Sequence, residues 1–152
     1  MVRVMPVPQV SVFLDNSPGS LSKLMTNLDK SSIHIYALSI ADAGEYGLVR
    51  IIVDKPAEAK KLLEDADFNL AKSRKNTEVT AILITSKNPI SKITKVLGEN
   101  GLNIDYAYSS AVHFEDKFAL ILRPIDIEKA ENALTNNGIA SLSLSEMKEH
   151  FQ

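Results

Sequence analysis

The 152-residue chain contains no cysteine and no tryptophan, and only three histidines. Without cysteine there is no disulfide framework, no thiolate metal site and no cysteine nucleophile. His34, His113 and His150 lie far apart, so no local His-x-x-x-His zinc pair exists. An excess of charge of one sign is missing too: 17 Lys and Arg against 19 Asp and Glu leave a formal net charge of −2. That balance gives no electrostatic footprint for nucleic acid or an anionic membrane. No apolar run approaches the ~20 residues that span a bilayer. The first eight residues carry Arg3, Pro6 and Pro8 rather than the apolar core of a signal peptide. A cytoplasmic location is therefore the expectation. What remains is an ordinary globular composition, 45% hydrophobic and 24% charged, at a length that suits one large domain or two small ones.

An internal repeat organises the chain. At an offset of 69, Val10 meets Val79, Leu14 meets Leu83, and Leu21-Ser22-Lys23-Leu24 meets Ile90-Ser91-Lys92-Ile93. The same shift carries Ile33 and Ile35 onto Leu102 and Ile104, and Val49–Val53 onto Phe118–Leu122 without a gap. Two related units over 9–76 and 77–144, with a tail at 145–152, are expected. In the first, Val10, Val12 and Leu14 alternate as in a strand over 9–14. Asp15-Asn16-Ser17-Pro18-Gly19 breaks it. Leu21, Leu24, Met25 and Leu28 have the spacing of a helix face, which Ser31-Ser32 ends. Strands follow over 33–41 and 47–53, joined by Asp42-Ala43-Gly44-Glu45. Pro56 suits the first turn of a helix with Ala59, Leu62, Leu63 and Ala66 buried, and Phe68–Lys72 makes a short fourth strand. The second unit repeats the order, with strands over 79–85, 102–111, 117–123 and 139–144 and helices over 90–99 and 126–136. The tail reads as a short polar helix or a frayed end.

Twice βαββαβ is the ferredoxin-like arrangement, an α+β fold with antiparallel sheets and helices on one face. Leu48, Arg50 and Ile52 are expected to face away from the helices, as are Phe13, Ile82, Ile84, Ala119 and Ile121. A solvated face reads polar, whereas this one is mostly apolar, so it should be covered by the other unit or a second chain.

Catalytic chemistry is not legible. No nucleophile stands with a base, and no carboxylate pair or metal set is evident. The histidines read as structural, Asp65/Asp67 and Glu115/Asp116 as solvated turns, and Lys72, Arg74 and Lys75 as a solvated connector. The loop Asp15–Leu21 is the strongest candidate. Pro18 sets φ near −65° and Gly19 permits close approach. The loop delivers the free N–H groups of a first helical turn, which favour a carboxylate, while Asp15 or Asn16 suits an ammonium. A zwitterionic amino acid needs both. The alternative is a plain capped helix start after a tight turn.

Phe13–Leu21, Ala37–Asp42 and Gly47–Asp54, with Glu99–Asp105 in the second unit, resemble the motifs of ACT domains in order and spacing. The resemblance covers residues 9–144 and is to stand-alone double-ACT proteins, which carry no catalytic domain. It implies binding of a small molecule, usually an amino acid, where two ACT units meet; the apolar sheet face points to a homo-oligomer, a dimer. By position one wall is Asp15, Asn16, Ser17, Pro18, Gly19, Ser20 and Leu21, and the facing wall is Asn103, Ile104, Asp105 and Tyr106. A pseudo-symmetric site would pair Thr85–Ile90 with Ile33–Leu38, but Ser86-Lys87-Asn88-Pro89 lacks the Pro-Gly there. No cofactor, metal or catalytic residue is implied. The rival within the family is a regulatory small subunit docking on an amino-acid biosynthetic enzyme, as those of acetolactate synthase do. An RNA-binding module of the same topology is disfavoured: Tyr106 and Tyr108 share a strand face, but charge and paired aromatics are lacking.

Overall fold

The computed structural model describes residues 5–42, 44–113 and 115–151. Residues 1–4, Ala43 of the expected hairpin turn and Gln152 of the tail lie outside the described residues. The chain forms two compact units, one over Pro8–Thr77 and one from Glu78 onward that also takes in the segment ending at Val7.

A two-residue strand, β1 (Val7–Pro8), belongs to the second sheet. The first unit opens with β2 (Val10–Asp15) and continues through α1 (Ser20–Lys30), β3 (Ile35–Asp42) and β4 (Tyr46–Val53). It ends with α2 (Pro56–Asp65), β5 (Asn69–Leu70) and a helical turn, α3 (Arg74–Thr77), where the sequence suggested only a connector. The sheet order is β3-β4-β2-β5, with every pairing antiparallel. Alternation puts Val10, Val12 and Leu14 on the same face as Val49, Ile51 and Val53, against Leu24 and Leu28 of α1 and Ala59 and Leu63 of α2. Fully burying a leucine contributes about 1.5–3 kcal/mol, and Leu24, Leu28 and Leu63 are all wholly buried. Phe13 lies outside this core, as expected from its phase.

The second unit runs β6 (Glu78–Ile84), α4 (Ile90–Glu99), β7 (Ile104–Ser109), β8 (Phe118–Pro124), α5 (Ile127–Asn136), β9 (Ser141–Leu142) and α6 (Leu144–Phe151). Its sheet is ordered β1-β6-β8-β7, and β9 also pairs with β6. Helix α6 has a legible cause in Ser143-x-x-Glu146. The Glu146 N–H donates to Ser143 Oγ (3.2 Å) and the Ser143 N–H to Glu146 Oε1 (3.1 Å), a reciprocal cap. Met147 then buries completely. Glu131 of α5 is buried but satisfied, accepting from Thr80 Oγ1, Ser141 Oγ and the Met5 N–H.

The register of the pairs corrects the gap-free repeat. Val12 pairs with Val49, and Ile82 pairs with Leu120. Ile35 pairs with Val53, and Ile104 pairs with Pro124. The two first strands therefore correspond at an offset of 70 (Val12 to Ile82). The helix and second strand correspond at 69 (Leu24 to Ile93, Ile35 to Ile104), and everything from the third strand onward at 71 (Val49 to Leu120). One residue is missing between β6 and α4 relative to the first unit, and two are added between β7 and β8. An even shift preserves the face of a strand and an odd one inverts it. Ala119 and Ile121 thus lie off the helix-facing core as expected. Ile82 and Ile84, expected to face away, instead join Leu120 and Leu122 beneath α4 and α5.

This inversion has a mutational signature. Ile82→Ala should cost about 2–5 kcal/mol, the usual range for a buried large-to-small change. Leu83→Ala, at a half-buried position on the other face, should cost less than half as much in urea unfolding.

Candidate functional site

The candidate loop is built by short-range bonds. The Ser17 N–H donates to Asp15 O (2.9 Å) and the Ser20 N–H to Ser17 O (3.3 Å), folding the chain back after β2. The Asn16 N–H reaches Glu45 O and its side-chain amide reaches Gly44 O, which fasten the loop to the β3–β4 connection. Gly19 occupies the N-cap position at φ 89°, a left-handed conformation that glycine adopts without strain. No side chain caps the helix. The plain capped start is thus not what the loop provides: Ser17 and Ser20 hydroxyls face each other at 3.0 Å instead. The first-turn N–H groups carry the positive end of the helix dipole with no side-chain acceptor on them.

Of the residues expected in this wall, Asp15, Asn16, Ser17, Ser20 and Leu21 border a small cleft of about 110 Å³ that Ile40 of β3 also lines. Pro18 and Gly19 are exposed and do not line it. Strand β3 is a sheet edge, pairing with β4 alone among the described residues. It exposes Leu38 (37%) and Ile40 (54%), an apolar edge of the kind that invites a further strand. The other expected wall lies in the second unit. There Ile104, Asp105 and Tyr106 form the start of edge strand β7, and the Asn103 amide donates to Asp105 Oδ1 (3.2 Å). The second unit's own loop is closed on itself. The Asn88 N–H donates to Thr85 Oγ1, the Thr85 N–H to Asn88 O, and Lys92 Nζ reaches Asn88 Oδ1 at 2.9 Å.

Sequence reasoning missed the opposite flank of the first loop. There a groove of about 430 Å³ is lined by Phe13, Asp15, Ser20, Lys23, Asp67, Phe68 and other residues of the same unit. Its volume falls in the ordinary range for small-molecule sites, about 300–1,000 Å³. Lys23 Nζ stands 5.6 Å from the centre of the Phe68 ring. Asp67, read from sequence as a solvated turn, follows α2 at φ 65°. Its counterpart after α5 is Gly138, at φ 74°. In both units the next residue's N–H caps the helix, Phe68 to Leu63 O and Ile139 to Leu134 O, each at 2.9 Å. The signal available in sequence was this single Asp-for-Gly difference. Of the histidines, His34 donates its backbone N–H to Asp54 (2.9 Å), and the His113 ring meets Phe118 edge-on. Tyr36 is buried, and burial followed by the Asp54 carboxylate raises its phenol above the ordinary value near 10.

The ACT domain pair family matches residues 5–149. The chain belongs to that family. Among solved structures, this ACT domain pair is similar to protein BT0572 from Bacteroides thetaiotaomicron, with 28% identity and a TM-score of 0.82, covering 94% of this chain and 96% of that one. The regulatory subunit of aspartate kinase from Thermus thermophilus, in its ligand-free form, has 17% identity and a TM-score of 0.58 over 90% of this chain and 95% of that one. The aspartokinase alpha and beta subunits have 14% identity and a TM-score of 0.54 over 85% and 90%. The last two share the fold. No curated protein matches the sequence. The family supports a regulatory, ligand-binding role. Among the described residues no helix is long and apolar enough to cross a membrane.

Two measurements probe these local environments. A tyrosine whose folded pKa is raised keeps its proton after the unfolded chain has lost it, so stability is intact below about pH 10 and falls as pH rises beyond it. Urea midpoints between pH 9 and 11 should fall more steeply for the wild type than for Tyr36→Phe. Asp67→Gly should raise stability by about 1 kcal/mol, because a left-handed conformation costs an L-residue about 1–2 kcal/mol.

Proposed function

We propose that this ACT domain pair is a non-catalytic, amino-acid-binding regulatory protein that takes its ligand where two ACT units meet. The observation that carries the reading is the uncapped start of α1 beside Asp15 and the apolar edge of β3. Helix-start N–H groups would hold the α-carboxylate. Asp15, or Asp105 of a partnering second strand with Asn103, Ile104 and Tyr106, would hold the ammonium. A homodimer joined along exposed strand edges would complete the site, and ligand would then favour one arrangement of units. The near-neutral charge suits a cytoplasmic sensor.

A second reading draws on the neighbours that are regulatory subunits of aspartate kinase. The chain would then dock on a separate amino-acid biosynthetic enzyme, of which acetolactate synthase is one example.

A thermal-shift screen against the twenty amino acids tests the first reading. A ligand at 100-fold excess over Kd stabilises the folded state by about 2.7 kcal/mol. One or two amino acids should raise the melting temperature, and Gly19→Val should weaken that binding at least tenfold. Silence from all twenty, with an enzyme subunit co-purifying, would replace it with the second.

A further inference from the structure

Resting on the amino-acid-binding reading, we propose that the groove between α1 and the β2–β5 edge of the first unit binds a basic α-amino acid. It is not the cleft on the β3 side of the loop: it uses Lys23, Asp67 and Asn69, none of which belongs to the expected walls.

Three observations carry the assignment. The first is charge. The charged residues lining the groove are Asp15, Asp67 and Lys23, two carboxylates and one ammonium. A ligand that matches them bears one carboxylate and two cations, which is the charge pattern of a basic amino acid. Lys23, with the Ser20 hydroxyl beside it, takes the α-carboxylate, and the aspartates take the two cations. The second is shape. An adjoining cavity of about 330 Å³ shares Phe13, Asp15 and Asn69 with the groove and extends it to Tyr46. Phe13 and Tyr46 meet edge-on, 5.4 Å between ring centres, and give an aliphatic chain ending in a cation an aromatic wall to lie along.

The third is the contrast between the two units. At the offsets fixed by strand register, Asp67, Phe68 and Asn69 become Gly138, Ile139 and Ala140, and Asp15 becomes Thr85. Lys23 becomes Lys92, which is tied to Asn88 in its own loop. The second unit therefore keeps the fold with glycine at the left-handed position and no acid in the groove. The first unit has Asp67 there instead, one of the two acids that line its groove.

The test uses the full chain and calorimetric titration with L-lysine, L-arginine, L-norleucine and L-glutamate. L-lysine or L-arginine should bind, and L-norleucine, which has the lysine side chain without its cation, should bind at least tenfold more weakly. Lys23→Met and Asp67→Asn should each weaken the basic ligand at least tenfold. Both positions are exposed, and Asn tolerates the left-handed conformation, so the variants should fold. Asp65→Asn, at an exposed acid that does not line the groove, should leave this binding unchanged. Basic-ligand binding that survives Lys23→Met and Asp67→Asn but fails in Asp105→Asn would overturn the groove and leave the regulatory reading standing. Preference for L-norleucine or L-glutamate would overturn the charge assignment. No binding of any amino acid in the wider screen would overturn both readings.

Discussion

Each unit depends on one constraint: an antiparallel sheet must bury one face beneath two helices, and strand residues alternate between faces with a period of two. Val12, Leu14, Val49 and Ile51 on one sheet meet Leu24, Leu28 and Leu63 because each strand arrives at its helix in the right phase. The phase is set by the loops. The second unit can lose one residue between β6 and α4 only because the whole of β6 turns over, presenting Ile82 and Ile84 rather than Ala81 and Leu83. It can gain two between β7 and β8 with no such change.

The same loops carry the candidate chemistry. Neither α1 nor α4 has a side-chain cap, but in the first unit Asn16 reaches across to Gly44 and Glu45. In the second unit the corresponding loop spends its polar groups on itself, through Thr85, Asn88 and Lys92. The helix C-termini diverged in parallel, with Asp67 where the sister unit has Gly138. Asp67 borders the groove, whereas Asn16 and Ser17 border the cleft on the loop's other flank.

Much of the fold was legible because it rests on local pattern. The spacing of Leu21, Leu24 and Leu28, the turn formers at Asp15–Gly19 and the proline at Pro56 each act within a few residues. Helices α1, α2, α4 and α5 lie where those signals put them. The loop of the candidate site was legible for the same reason. The groove on its other flank was not. Lys23 entered only through the repeated Ser-Lys pair, and Asp67 read as a turn, because nothing in sequence says that residues 44 apart border one groove.

The order of elements and the two-unit repeat were readable from the chain alone, since hydrophobic period and turn chemistry are local properties. Which face of β6 is buried was settled by packing. That depends on hydrogen-bond register with a strand 38 residues away, Ile82 against Leu120. It also decided that Phe13, Asp15, Lys23, Asp67 and Asn69 converge, because their meeting is a product of β2 pairing with β5 while α1 packs over the same sheet.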